Sequence, residues 1–145
     1  MRIYTIGFTK KSAREFFDLV SNNGVGRMID IRLHAGGQLA GFTKQNDLAY
    51  FLSRLVDCEY HHLDSLSPTE SILSEYRETH DWDRYVQRFE ALMNERRIPQ
   101  SLDRSFFEKK TSCLLCSEAS PERCHRRLVA ERFAKHWSNV EIIHL

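Results

Sequence analysis

Proline and glycine are scarce: three and six of 145 residues. Nowhere do they gather with serine into a linker or a low-complexity tract, which argues for one domain over residues 1–145. No internal repeat is present, which excludes a solenoid or a propeller. Charge of one sign is equally lacking. Lys and Arg number 21 against 20 Asp and Glu, a net charge of +1. That is far from the basic footprint of a dedicated nucleic-acid binder, although a local basic patch stays compatible with it. No apolar run approaches the ~18 residues of a membrane span. The opening "MRIYTIGFTKK" has too short an apolar run, wrongly flanked, for a signal peptide. Four cysteines without such a leader point to a reducing cytosol, where thiols stay free unless they bind metal or do chemistry. The expectation is a cytoplasmic protein that does not engage membranes.

What is present suffices for a core. Hydrophobic residues make up 41% and charged residues 28%, and a chain of this length needs no disulfide or metal staple. Four short runs read as buried strands: "RIYTIG" at 2–7, "RMIDIR" at 27–32, "CLLCS" at 113–117 and "VEIIHL" at 140–145. "CEYHHL" at 58–63 is a weaker fifth. Helical patterns lie between them. Ser12 and Glu15 form a capping-box signature before Phe16, Phe17, Leu19 and Val20. Leu48, Phe51, Leu52 and Leu55 share one helical face, as do Trp82, Tyr85, Phe89, Leu92 and Met93. In "SPERCHRRLVAERFAKHW", Ser120 is the expected N-cap and Pro121 the first helical residue. This alternation predicts an α/β fold with a mostly parallel sheet of about five strands, flanked by helices in three Rossmann-like layers. Residues 64–110 form a helical insertion before the fourth strand.

Ligands of open α/β sheets bind beyond the carboxyl ends of the strands. Here those segments are Gly7–Lys10, Asp30–Gly37, His61–Ser67 and Cys116–Arg127. "LHAGGQLAGF", with Gly36, Gly37 and Gly41, is expected to be a mobile loop there.

Three chemistries compete for the cysteines. Cys113-x-x-Cys116 has zinc-knuckle spacing, but within a strand residues three apart face opposite ways, roughly 10 Å apart. Cys113 therefore reads as a small core residue. A zinc site made of Cys116, Cys124 and a histidine such as His62 stays open. Cys124 and His125 are awkward joint ligands if both lie within a helical turn. A phosphatase-like loop between Cys116 and Arg123 is excluded, because Glu118 and Glu122 would repel the phosphate and no glycine allows close backbone approach. A reactive thiol is the third. Cys124, at a helix start beside Arg123, His125, Arg126 and Arg127, is expected to have a lowered pKa unless it simply packs.

Helical phase sets Arg123, Arg126 and Arg127 on the side of Ala130, Phe133, Ala134 and Trp137. A buried arginine there needs a carboxylate or a bound anion. Asp30, Arg32 and Glu118 belong to the same rim. His61, His62 and His125 are candidate bases near neutral pH. Glu95, Arg96, Arg97, Lys109 and Lys110 read as solvated surface.

"YTIGFT", "IDIR", "LLCSE" with "CHRRLVAE", and the terminal "IIHL" resemble the Domain of Unknown Function 488 family. "LSPTESILSEY" and "WDRYVQRFEALMNERRI" are similar to one of its subgroups. The resemblance spans nearly the whole chain and implies a prokaryotic cytosolic α/β protein with a polar site. It assigns the family's signature positions to Thr5, Gly7, Thr9, Asp30, Arg32, Cys116, Glu118, Cys124, His125 and Arg126. The family often carries His-Ser after the first-strand glycine, where this chain has Phe8-Thr9, so a histidine base at that point is lost or replaced. Asp64 and Ser65 also make the third strand's exit less glycine-rich than in many relatives.

The leading expectation is a polar pocket for an anionic, phosphate-bearing ligand such as a nucleotide or nucleic-acid end, in a hydrolase or transferase. Arg32 and Arg126 would clamp the anion, with Thr9 and Cys116 as further contacts. Glu118 or Asp30 would orient an arginine or act as base, and His125 would carry the proton. Cys116 or Cys124 would attack only if its thiol is accessible. The rivals are a non-catalytic nucleic-acid or protein binding module and a zinc protein. The residues name no cofactor and no oligomeric state.

Overall fold

The structure, a computed structural model, describes residues 1–36 and 41–145. Gly37, part of the loop expected to be mobile, lies outside the described residues. Five strands form one sheet: β1 (Arg2–Gly7), β2 (Arg27–Asp30), β3 (Glu59–His62), β4 (Ser112–Cys116) and β5 (Glu141–His144). Their order is β3-β2-β4-β1-β5, and every neighbouring pair is parallel. Among the described residues six α-helices accompany them: α1 (Ala13–Asn22), α2 (Gln45–Val56), α3 (Glu70–Thr79), α4 (Trp82–Glu95), α5 (Arg104–Glu108) and α6 (His125–His136). The insertion between β3 and β4 is helical, supplying α3, α4 and α5.

The strands that read as continuous apolar runs are the covered ones. All residues of β2 and β4 are buried, because each has strand neighbours on both edges and helices on both faces. One face packs Tyr4, Ile6, Met28, Cys113 and Leu115 against Phe16, Phe17 and Val20 of α1 and Leu48 and Leu52 of α2. The other packs Ile3, Ile29 and Leu114 against α4, α5 and α6 through Phe89, Phe107, Val129 and Phe133. Cys113 is a core residue, as strand alternation requires. Ser12 does cap α1, accepting the Glu15 N–H at 3.1 Å. Leu55, in the final turn of α2, is 62% exposed instead of joining Leu48 and Leu52.

The expected start of α6 is corrected. Ser120 is not its N-cap. Its hydroxyl accepts the Glu122 N–H in a local turn at 3.2 Å, a bond that competes with helix formation. The helix begins at His125, with extended Cys124 as N-cap. Arg123 therefore precedes the helix and is exposed, instead of sharing a face with Arg126.

The topology leaves a crevice. Adjacent β2 and β4 feed α2 and α6, which cover opposite faces of the sheet. Their exits diverge at the carboxyl edge, where α/β sheets take ligands. No helix among the described residues is long and apolar enough to cross a membrane.

Candidate functional site

At that edge lies a cavity of about 340 Å³. The exits of β1, β2 and β4 contribute Phe8, Arg32, His34, Cys116, Ser117 and Glu118. The segment leading into α6 contributes Arg123, Cys124 and His125. The opposite wall comes from the insertion: Tyr76, Arg77 and His80 around the end of α3, and Trp82 and Tyr85 of α4. Among the lining residues three are arginines, and Glu118 is the sole acid.

The floor is a compact thiol–imidazole cluster. Ligating atoms of Cys116, Cys124 and His125 lie within 4.8 Å of one another. The chain achieves this because Cys116 ends β4 and the turn at Ser120–Glu122 folds Cys124 back over it. His125 Nδ1 faces Cys116 Sγ at 3.5 Å. Its Nε2–H donates to the Ile31 carbonyl at 2.7 Å, tying α6 to the exit of β2. The Cys124 thiol donates to Cys116, and His125 and the Ser117 N–H also face that sulfur. Together they hold the Cys116 thiol well below its usual pKa despite burial. Burial pushes Cys124 up, and its bond to Cys116 adds to this. The expectation of a lowered pKa at Cys124 is thus overturned in favour of Cys116, because Arg123 stands off in solvent and Cys124 serves as the donor. For His125, burial lowers the pKa, but neighbouring Cys116 reverses this and raises it.

Asp30, Arg32 and Arg126 are engaged in internal bonds. Asp30 is fully buried and accepts from Arg32 Nε at 2.9 Å and Nη2 at 2.7 Å. It also accepts the Tyr60 hydroxyl at 2.5 Å. Arg32 further donates to the Thr43 carbonyl and lies over the Phe8 ring, 5.3 Å from its centroid. Burial would lower the Arg32 pKa, and the Asp30 carboxylate overrides this and raises it. Phe8 thus packs against this pair.

Arg126 is fully buried. It donates to the carbonyls of Glu118 and Ala119 and to the Thr5 hydroxyl, and does not line the cavity. Its role is to staple the loop after β4 onto β1. Gly7 belongs to the same staple: a methyl there would overlap the Glu118 carbonyl oxygen. The Thr9 N–H donates to the Ser117 carbonyl at 3.0 Å, while Thr9 itself is exposed and does not line the cavity.

The cavity therefore gathers Arg32, Cys116, Glu118, Cys124 and His125, leaves Asp30 and Arg126 behind its walls, and leaves exposed Thr9 outside it. His62 donates to the Arg32 carbonyl at 2.7 Å and His61 meets the Phe106 ring edge-on, so neither joins the sulfurs. Arg96 is more than solvated surface, since it donates to the carbonyls of Asp64, Ser65 and Ser67 and so fixes the segment before Pro68 of the cavity wall. Sequence reasoning missed the aromatic wall. The helical periodicity placed Trp82 and Tyr85 in the core, where they do pack, but it gave no sign that they and Tyr76 also line a cavity.

The family model described as "Domain of unknown function DUF488" matches residues 12–133. The chain belongs to that family. No match was found among curated proteins or among solved structures.

Proposed function

We propose that this member of the DUF488 family binds a small phosphate-bearing ligand with a flat ring, a nucleotide or nucleic-acid end, in the crevice beyond β2 and β4. The observation that carries the reading is the composition of the cavity. One wall is aromatic: Trp82 and Tyr85 stack at 4.9 Å between centroids, with Tyr76 tilted against Tyr85 at 5.2 Å. Arg123 and Arg77 stand at the mouth. Among the described residues Arg123 has no hydrogen bond or ion pair, and Arg77 reaches only Glu70 at 3.8 Å. A guanidinium without a partner suits a phosphate, and aromatic faces suit a base.

The anion contact thus falls to Arg123 and Arg77, and the Arg32–Arg126 clamp gives way to them. Hydrolysis or group transfer on such a ligand would draw on Glu118 and the Cys116–His125 pair, the reactive groups of the cavity. The internal bonds of Asp30, Arg32 and Arg126 favour a second reading, a non-catalytic nucleic-acid or protein binding module.

Calorimetric titration with adenosine monophosphate, uridine monophosphate and inorganic phosphate tests the first reading. Saturable nucleotide binding is expected, weakened about tenfold or more in Arg123→Ala and in Trp82→Ala, since a charge-assisted contact is worth about 1.5–3 kcal/mol and a base–aromatic stack about 1–3 kcal/mol. No binding at millimolar nucleotide, or equal binding by both variants, sinks it. Product formed from a bound nucleotide on prolonged incubation supports the enzyme, and intact nucleotide supports the module.

A further inference from the structure

We infer that Cys116, Cys124 and His125 form a zinc site whose fourth coordination position opens into the cavity. Zinc takes cysteine sulfur at about 2.3 Å and histidine nitrogen at about 2.0–2.1 Å, so its tetrahedron sets ligand atoms roughly 3.5–3.8 Å apart. Cys116 Sγ and His125 Nδ1 already stand at 3.5 Å. The 4.8 Å limit on the whole cluster leaves at most about 1 Å to close, within reach of a side-chain rotation.

The surroundings match what a metal ligand needs. Donation of Nε2–H to the Ile31 carbonyl leaves Nδ1 with its lone pair turned to the sulfurs, the usual outer-shell device for a ligating imidazole. The backbone N–H of Ser117 faces Cys116 and that of Arg126 faces Cys124, so each thiolate has a donor. Two thiolates also supply the negative charge that would cancel a divalent cation in this buried place. The soft sulfur pair with one imidazole selects zinc over magnesium or calcium.

All three residues line the cavity. Three protein ligands and one open position mark a zinc that meets a ligand, in contrast to the closed four-ligand sites that only hold a fold together. An anionic oxygen entering from the cavity fits that position. Cys124 and His125 would be awkward partners if both lay inside a helical turn. Extended Cys124 at the N-cap removes the objection, and His125 replaces His62 as the nitrogen ligand.

The test uses the reduced, metal-free protein with Zn²⁺ or Co²⁺ alone as probe, so its outcome is separate from nucleotide binding. One Co²⁺ per chain is expected, with the intense visible bands of a tetrahedral site and a thiolate charge-transfer band. Cys116→Ser, Cys124→Ser and His125→Ala should each weaken Zn²⁺ binding by more than the roughly 10–100-fold that loss of an outer-shell partner costs. Since such variants risk misfolding, the wild type supplies a second readout. Zn²⁺ should shield Cys116 and Cys124 from alkylation and a chelator should release them, with Cys58 and Cys113 unchanged. A wild type that takes up no Co²⁺, or whose Cys116 and Cys124 gain no protection, overturns the inference.

Discussion

Replacing Arg126 with Met removes the guanidinium and keeps most of the stem that packs beneath it. Three hydrogen bonds from a charged donor disappear, to Glu118 O, Ala119 O and Thr5 Oγ1. At about 1.5–3 kcal/mol each their summed loss is about 5–9 kcal/mol. Against this, the desolvation penalty of a buried cation, several kcal/mol, is recovered. The expected net cost is about 2–4 kcal/mol. For a chain of this size that lowers the melting midpoint by roughly 6–13 °C. Urea and thermal unfolding, followed by far-ultraviolet circular dichroism, give both quantities. Because Arg126 stands behind the cavity wall, adenosine monophosphate should bind the folded variant within about threefold of wild type, under 1 kcal/mol. An unchanged midpoint together with lost nucleotide binding refutes the reasoning, because Arg126 would then be a ligand contact and no staple.

Gly7→Ala drives a methyl into the Glu118 carbonyl, so the loop after β4 must shift; a loss of about 1–3 kcal/mol is expected in urea unfolding, and an unchanged midpoint contradicts it. Tyr60→Phe deprives the buried Asp30 carboxylate of its hydroxyl donor, with an expected cost of about 1–3 kcal/mol in the same assay. Glu59 gives a pH prediction. Donation from Lys110, Arg27 and His61 holds its pKa at about 2, against 4.5 for a free carboxyl. A pKa depressed on folding adds stability above the unfolded value, and that stability fades as pH falls toward the folded one. The melting gap between wild type and Glu59→Gln should therefore be full above about pH 5 and close toward about pH 2. A gap that does not change with pH contradicts the assignment.

Strand periodicity and the cap at Ser12 were legible because they depend on local physics, on apolar runs and a single hydroxyl. The separation of Cys113 from Cys116 was legible for the same reason, since alternation along β4 is fixed by the pleat. Arg126 was recognisable as an unusual buried cation, but its partners were not. They are the Thr5 hydroxyl of β1 and two backbone carbonyls of a loop whose path depends on Gly7 and Thr9. The start of α6 was misjudged because Ser120-Pro121 carries a helix-start signature, while the turn it makes serves to carry Cys124 back over β4. The cavity's far wall was hidden for a different reason. Trp82 and Tyr85 belong to the core, as their helical pattern requires, and only the tertiary fold brings them, with Tyr76 of α3, to the edge of a crevice.

The crevice beyond β2 and β4 as the ligand site is tested most directly by titrating ¹⁵N-labelled protein with adenosine monophosphate and following the amide shifts. Saturable shifts should gather at Arg32–His34, Tyr76–Tyr85 and Ser117–His125. Shifts that gather instead in the groove between α1 and α2, around Phe17, Phe42 and Phe51, or no saturable shifts at all, would contradict the account.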